Sequence, residues 1–451
     1  MNTQSDLKRL GLFDARVPRY TSYPTAPHFA PGVGPNRFAE WIEAVPAGAS
    51  ISLYIHVPFC RRLCWFCACR TQGTSSDAPI VAYAEMLRAE IALLRRHLAP
   101  GVTLSRLHWG GGTPTLLSPD LIRGLADQVF DVVPLANGGE FSVEIDPNEV
   151  DAARLDALAA AGMNRASIGV QDFDPEIQKT IGREQSYALT KQVADMIRDR
   201  GITSLNADIL YGLPHQTNSR IADSVQKLLT LSPDRVALYG YAHVPWMSRR
   251  QQLIPSDKLP TAEERLGLFE TARDLFAQDG YAEIGIDHFA RPTDGLAIAQ
   301  ANGTLRRNFQ GYTDDTATAL IGLGASSISR FPQGFAQNAS ATAAHTKAIR
   351  EGHFSVHRGH VFAGDDLLRA RIIEALMCDF RVDRRELLRD FDTTPRAVEA
   401  MFQSAKDSFG DMVTLTDEGL SIPTRARPLT RMIARAFDAY DHAKAQHSSA
   451  V

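Results

Sequence analysis

From residue 50 onward, short apolar or β-branched runs alternate with longer stretches of helical periodicity. The runs are Ile51–Val57 (ISLYIHV), Leu104–Gly110 (LSRLHWG), Phe141–Asp146 (FSVEID), Arg165–Val170 (RASIGV), Thr203–Gly212 (TSLNADILYG) and Arg235–Ala242 (RVALYGYA). Between them, Pro79–Leu98 carries apolar residues at steps of three and four, the spacing of one helix face. Ser118 followed by Pro119 predicts a capped helix start. The helix in DAARLDALAAAG is expected to stop at Gly162, and Ile221–Leu231 has the same helical period. Strands alternating with helices predict a parallel sheet covered by helices, an α/β fold. In barrels of this kind the functional residues lie at the C-terminal strand ends.

The two ends of the chain read differently. The first 49 residues, with VPRYTSYPTAPHF at Val17–Phe29, are expected to form an irregular arm or lid. Residues 50–363 form the βα unit. Residues 364–451 read as a small, mostly helical unit: helices over Asp365–Phe391 and Thr394–Phe409, a hairpin over Met412–Pro423, and a final helix over Pro428–Gln446.

Composition adds mostly exclusions. The 451 residues are 44% hydrophobic and 22% charged, with net charge −4. That describes an ordinary globular chain, without the basic footprint expected of a nucleic-acid binder. No run of about eighteen apolar residues predicts a membrane span, and the polar N-terminus lacks the apolar core of a secretory leader. Cytoplasmic localisation is the expectation.

Four of the five cysteines stand within ten residues, CRRLCWFCAC, at Cys60, Cys64, Cys67 and Cys69. A secreted disulfide framework would spread them along the chain. Zinc sites usually add a second ligand pair at a distance, and none is present. The histidine group His353, His357 and His360 is a weak metal candidate by spacing. Three thiolates in C-x3-C-x2-C spacing can hold three irons of a 4Fe–4S cluster and leave the fourth open to an external ligand. Cys378, on an apolar helical stretch, reads as a buried, inert thiol.

C-x3-C-x2-C just after the first predicted strand resembles the radical S-adenosylmethionine (SAM) superfamily. The resemblance narrows through PRYTSYPTA (Pro18–Ala26), LYIHVPFC (Leu53–Cys60), LHWGGGTPT (Leu107–Thr115), VEIDP (Val143–Pro147), GVQDF (Gly169–Phe173), DILYGLP (Asp208–Pro214), DHFARP (Asp287–Pro292) and NFQGYT (Asn308–Thr313). In this order, and nearly end to end, they are similar to the oxygen-independent coproporphyrinogen III oxidase (coproporphyrinogen dehydrogenase) family.

The resemblance implies a partial (β/α)6 radical SAM barrel carrying the arm and the helical C-terminal unit. It implies oxidative decarboxylation of the ring A and ring B propionates of coproporphyrinogen III to vinyl groups, giving protoporphyrinogen IX in porphyrin and haem biosynthesis. The oxidant would be a 5′-deoxyadenosyl radical made from SAM at a 4Fe–4S cluster, with two SAM consumed per substrate. A low-potential donor, flavodoxin or ferredoxin, and a monomeric state are also implied.

Residue by residue, the resemblance makes Cys60, Cys64 and Cys67 the cluster ligands. Tyr54, Gly111, Glu144 and Ile328 match contacts to the cluster-bound SAM. Phe66, Gly112, Thr113, Gln171, Arg183, Asp208 and Ala242 match contacts to a second SAM. The glycines of WGGGTPT are expected to let backbone approach the cofactor, because no Cβ intervenes. Cys69 is expected to stand beside the cluster without ligating it and to act in turnover. Ala68 and Arg70 depart from the family's usual CGCN-like sequence, and Arg70 changes the charge there. Arg19 and Arg291 are candidates for propionate binding, since guanidinium pairs with carboxylate. Tyr20 and Tyr23 could pack on the macrocycle or brace the arm. The alternatives are a haem chaperone of the same superfamily, against which PRYTSYPTA and Cys69 argue, and a zinc-binding scaffold.

Overall fold

The computed structural model describes residues 3–440 and 448–451. Its centre is a twelve-stranded sheet. The six expected runs form β1 (Ser50–Val57), β2 (Thr103–Gly111), β3 (Leu135–Ile145), β4 (Arg165–Gln171), β5 (Ser204–Tyr211) and β6 (Arg235–Gly240), all parallel to one another. They are followed by β7 (Ala282–Ile284), β8 (His288–Ala290), β9 (Ala319–Leu323), β10 (Ile328–Phe331), β11 (Gly334–Asn338) and β12 (Val356–Val361). The order β12-β11-β10-β9-β1-β2-β3-β4-β5-β6-β8-β7 leaves the sheet open at its two ends. A seventh parallel strand, β9, pairs with β1 and was not expected from the sequence. Its run, ALIGL, lacks the helical stretch that marks the other six.

The helices follow each strand as its periodicity requires. Those used below are α1 (Ala78–His97), α2 (Pro119–Val132) and α3 (Ala152–Ala160). Ser118 caps α2 by accepting the Leu121 amide at 3.3 Å. Gly162, just past α3, sits at φ +91, where a side chain would be strained. One strand face is apolar and packs on these helices: Ala166, Ile168 and Val170 of β4 and Leu205, Ala207 and Ile209 of β5 are all buried. The alternating positions are polar and face inward.

Register aligns those polar positions into rows. Tyr54 sits beside His108, and His108 beside Ser142; Glu144 sits beside Ser167, and Ser167 beside Asn206. At the N-terminal end of the strands, ion pairs span the interior. Glu140 meets Arg106 at 2.9 Å and Arg165 at 2.7 Å, and Arg235 meets Asp294 at 2.7 Å. Charges so paired in a low-dielectric interior cross-link the strands. The opposite mouth is left for the functional residues.

The terminal segments depart from expectation in several places. Helix Pro35–Glu43 interrupts the arm and buries Phe38, Trp41 and Ile42 on the main core. The helix expected over Asp365–Phe391 breaks at Phe380, which adopts φ +56, and a strand Arg381–Asp383 intervenes. That strand joins the expected hairpin, Thr414–Leu415 with Gly419–Ser421, in a three-stranded sheet. Of the final helix, only Thr430–Arg435 is helical among the described residues, and residues 441–446 lie outside them. Asp438 accepts the Tyr440 amide at 2.9 Å, a local bond that competes with helix. A second core joins Leu7, Leu12, Val17, Tyr20 and Tyr23 of the arm to the C-terminal helices. Tyr20 donates to Asp438 at 2.9 Å and Tyr23 accepts from the Ala439 amide at 3.0 Å, so both brace the arm. No helix among the described residues is long and apolar enough to cross a membrane.

Candidate active site

β1 runs into the cysteine segment, which is closed by a short parallel pairing of Phe59–Cys60 with Gln72–Gly73. Cys60, Cys64 and Cys67 are partly buried and Cys69 is exposed; all five cysteines are free thiols. Burial pushes the Cys60 thiol up to about 11 and raises that of Cys64. The Cys69 side chain donates toward Cys67 and lowers it to about 6, while that contact raises Cys69. The Cys69 amide also donates to the Cys67 sulfur at 3.3 Å.

The glycine ridge after β2 packs against this segment. The Gly112 amide donates to Val57 O at 2.8 Å and the Thr113 amide to Phe59 O at 2.7 Å. A Cβ on Gly112 would lie 2.5 Å from the Phe59 carbonyl, and one on Gly111 would lie 2.5 Å from the His56 ring. The protein's own backbone and His56 therefore already require glycine at both positions.

Glu144, at the end of β3, accepts the Gly111 amide at 3.0 Å and faces His108 Nε2 at 3.4 Å. Burial would raise its carboxyl, but His108 and that amide outweigh it and keep it ionised. Its side chain remains 41% accessible, so a ligand can still reach the carboxylate. Tyr54 stacks on His108 with ring centres 5.7 Å apart and shares a hydrogen bond with His56 Nδ1 at 2.9 Å. Ile328 starts β10, with its backbone against Gly322, the register partner of Tyr54.

The far side of the mouth is built on Arg183. It donates to Cys64 Sγ at 3.5 Å, Asp146 at 3.1 Å and Gly169 O at 2.9 Å. Its Nε is buried without a partner. Gln171 sits at φ +68 where the β4–β5 register shifts, and its side chain folds beside Arg183 over Gly169. Non-glycine residues in this region cost about 1–3 kcal/mol, and such strain clusters at functional sites. Asp208 is held by Asn206 at 2.9 Å; burial and the Glu144 charge push it up to about 7.

A clamp that sequence reasoning missed fixes the cysteine segment. Buried Gln251 donates to Phe66 O at 2.7 Å and Ala242 O at 3.0 Å. Ser248 donates to Cys67 O at 3.0 Å, and Arg250 to Cys69 O at 3.2 Å. Thus every expected cofactor residue lies on the strand ends and loops of one mouth. His108, Ser142, Asn206 and Asp146 were missed too; the polar-apolar alternation within each strand was their only signal.

Other candidates fall elsewhere. Arg291 stacks over Tyr281 at 4.2 Å, pairs with Asp279 at 3.2 Å and bonds Asp234 O through its amide. This is the N-terminal end of β6, away from the mouth. His360 is paired with Asp366 at 2.7 Å and His357 with Gln337 O at 3.2 Å, so the histidine group does not converge. Cys378 is fully buried.

Among the described residues no three His, Cys, Asp or Glu side chains converge on a point for a single metal ion. A 4Fe–4S cluster asks for something else: soft thiolates spread along one loop. Three thiols on one loop, close enough that Cys64 and Cys67 act on Cys60, with the Arg183 guanidinium against Cys64 and its Nε buried without a partner, fit that group.

Comparison with known proteins agrees. Residues 54–228 match the radical SAM superfamily. The chain is 68% identical over 451 residues, all of both chains, to the oxygen-independent coproporphyrinogen III oxidase of Paracoccus denitrificans. It is 62% identical to that of Cereibacter sphaeroides, over 98% of each chain. The solved coproporphyrinogen III oxidase of Escherichia coli, described as a radical SAM enzyme, superposes with TM-score 0.89 at 35% identity, covering 95% of this chain and 100% of that one. With its cysteine loop at the mouth of a parallel barrel and full-length identity to these relatives, the chain belongs to the oxygen-independent coproporphyrinogen III oxidases of the radical SAM superfamily.

Proposed function

We propose that this protein converts the ring A and ring B propionates of coproporphyrinogen III to vinyl groups, giving protoporphyrinogen IX. The observation that carries this reading is full-length identity to named oxidases, with the cysteine loop and the inward polar rows meeting at one mouth. Cys60, Cys64 and Cys67 would hold three irons of a 4Fe–4S cluster, leaving the fourth for SAM. Tyr54, Gly111, Glu144 and Ile328 would hold that SAM. Phe66, Gly112, Thr113, Gln171, Arg183, Asp208 and Ala242 would hold the second. When bound, cluster and SAM supply one-electron chemistry that removes a hydrogen atom from the substrate.

The protein's part is positioning. Ionised Glu144 and the His108–Tyr54 stack form one wall; Arg183 sets the other and places positive charge beside Cys64. On the substrate, a propionate β-carbon gives up a hydrogen atom, carbon dioxide leaves, and one electron passes to an acceptor as the C=C bond forms. Each vinyl group repeats that balance. Cys69, outside the ligand triplet, acts in turnover. Five free thiols support a reducing compartment, and hence the cytoplasm. A monomer served by a flavodoxin- or ferredoxin-type donor completes the reading.

Two serine substitutions test the site. Cys64→Ser is expected to lose iron and SAM cleavage while keeping its fold by circular dichroism. Cys69→Ser is expected to keep the cluster's anaerobic absorbance and lose most substrate turnover. SAM cleavage at the wild-type rate in Cys64→Ser would break the ligand assignment. A missing cluster in Cys69→Ser would make Cys69 a ligand.

A further inference from the structure

Beside the mouth, at the C-terminal ends of β5 and β6, lies a second cavity of about 330 Å3. It is lined by Tyr211 and Gly240–Ala242 on the barrel side, and by the arm and residues 427–431 on the other. Seven arginines line it against three acidic side chains, Glu270, Glu283 and Asp287, and the terminal Val451. Glu283 is already paired with Arg427 at 2.8 Å. Ala242 belongs both to this cavity and to the proposed cofactor contacts, so the two spaces are continuous in the chain that walls them.

The arginines nearest the barrel are short of acidic side-chain partners. Arg431 bonds only backbone carbonyls, including those of Pro18 at 3.0 Å and Ser449 at 2.9 Å. Arg265 bonds the terminal Val451 oxygen at 3.0 Å and the carbonyls of Gly212 at 3.3 Å and Tyr241 at 2.9 Å. Arg431 has no Asp or Glu within ion-pair distance among the described residues, and burial, then neighbouring charge that includes Arg19, lowers both guanidiniums, Arg431 to about 9. Arg307 is the sharpest case. Its side chain is 5% exposed, its nearest acid is Asp287 at 3.8 Å, and its Nε and Nη1 make no hydrogen bond. A buried guanidinium whose one acid stands at a long 3.8 Å and whose Nε and Nη1 lack hydrogen bonds is costly, and a fold keeps one where something outside the chain completes it.

We propose that Arg307 and Arg431, with Arg265 beside them, form the receptor for the substrate's propionate carboxylates. The proposal rests on the function above and names which residues hold its acidic groups. Tetrapyrrole propionates are flexible carboxylates, and each would supply the acceptor these guanidiniums lack. Carboxylates seated here leave the macrocycle beside Ala242, at the edge of the mouth where the proposed cofactors lie. Asp287 faces the same space. Burial would raise it, but Arg307 and then His288 hold it at about 2, so it stays an anion that tempers, and does not cancel, the positive field.

Arg307→Met removes a buried charge of similar length, and Arg307→Lys keeps the charge. The test is fluorescence titration of purified full-length protein with coproporphyrin III, the stable oxidised tetraacid, and with its tetramethyl ester. Arg307→Met is expected to weaken tetraacid binding by about tenfold or more, the loss of one charged hydrogen bond. Ester binding is expected to stay within about threefold, which is under one charged bond. The melting temperature of Arg307→Met should fall, because buried Asp287 loses its nearest arginine. Arg307→Lys should recover part of the tetraacid affinity. Wild-type tetraacid affinity in Arg307→Met would overturn the assignment. So would equal losses for acid and ester, which mark a merely structural arginine. Wild-type protein that binds the tetraacid yet forms no vinyl product would overturn the proposed function and leave this receptor standing.

Discussion

Asp208 is the residue whose protonation the fold changes most usefully. Its carboxyl is raised from an ordinary carboxylate value to about 7 by burial and by Glu144. The folded state therefore keeps a proton that the unfolded chain loses near pH 4. Stability must fall as pH rises from there to about 7 and stay low above it. At about 1.4 kcal/mol per pKa unit, and with water able to enter the barrel, the fall is of order 2 kcal/mol. Asp208→Asn should flatten that slope and be more stable than wild type at pH 8 by denaturant titration. An unchanged slope would mean Asp208 is ionised throughout. Glu144, two strands away in the same interior, goes the other way because His108 and the Gly111 amide favour its anion. Two carboxyls with opposite tuning thus share one mouth, a common arrangement at functional sites.

At the scale of elements, strand interiors were the most legible part of the fold. Each of the six expected runs is a strand, because alternate apolar residues must reach the outer helices. Their ends were less so: β3 begins at Leu135, six residues early, and β6 stops at Gly240. The short antiparallel strands β10–β12 are four to six residues long, with a helix only between β11 and β12, and left no alternating signature. The same limit hid the clamp at Ser248–Gln251, a 3-10 segment whose function lies in its side-chain bonds to carbonyls about 180 residues away. No local pattern encodes such a contact. Gln251→Ala leaves the Phe66 and Ala242 carbonyls without their donor, a cost of about 1–3 kcal/mol. It should lower iron retention after anaerobic gel filtration while the barrel stays folded. Full iron retention would show that the cysteine loop holds its shape alone.

Among the described residues, two main cores share one chain. The larger lies between sheet and helices; the smaller joins Leu7, Leu12, Val17, Tyr20 and Tyr23 to residues from Leu368 onward. Sequence reading found the C-terminal unit from its helical period. It could not foresee that the arm is part of that unit, because Leu7, Val17 and Tyr23 form no pattern until residues four hundred positions away supply their partners. Beyond the cysteine triplet, whose spacing carries its own signal, the proposed site residues come only from motif resemblance: an isolated aspartate in a strand or arginine in a turn has no signal of its own. Arg307 and Arg431 lie in the seam between the cores and were invisible for the same reason. The central claim is tested by anaerobic incubation of reconstituted protein with SAM, a low-potential reductant and coproporphyrinogen III labelled with deuterium at the propionate β-carbons. The account predicts protoporphyrinogen IX by mass, with deuterium recovered in 5′-deoxyadenosine. Stable haem binding with neither a vinyl product nor 5′-deoxyadenosine would contradict it and make the protein a haem carrier.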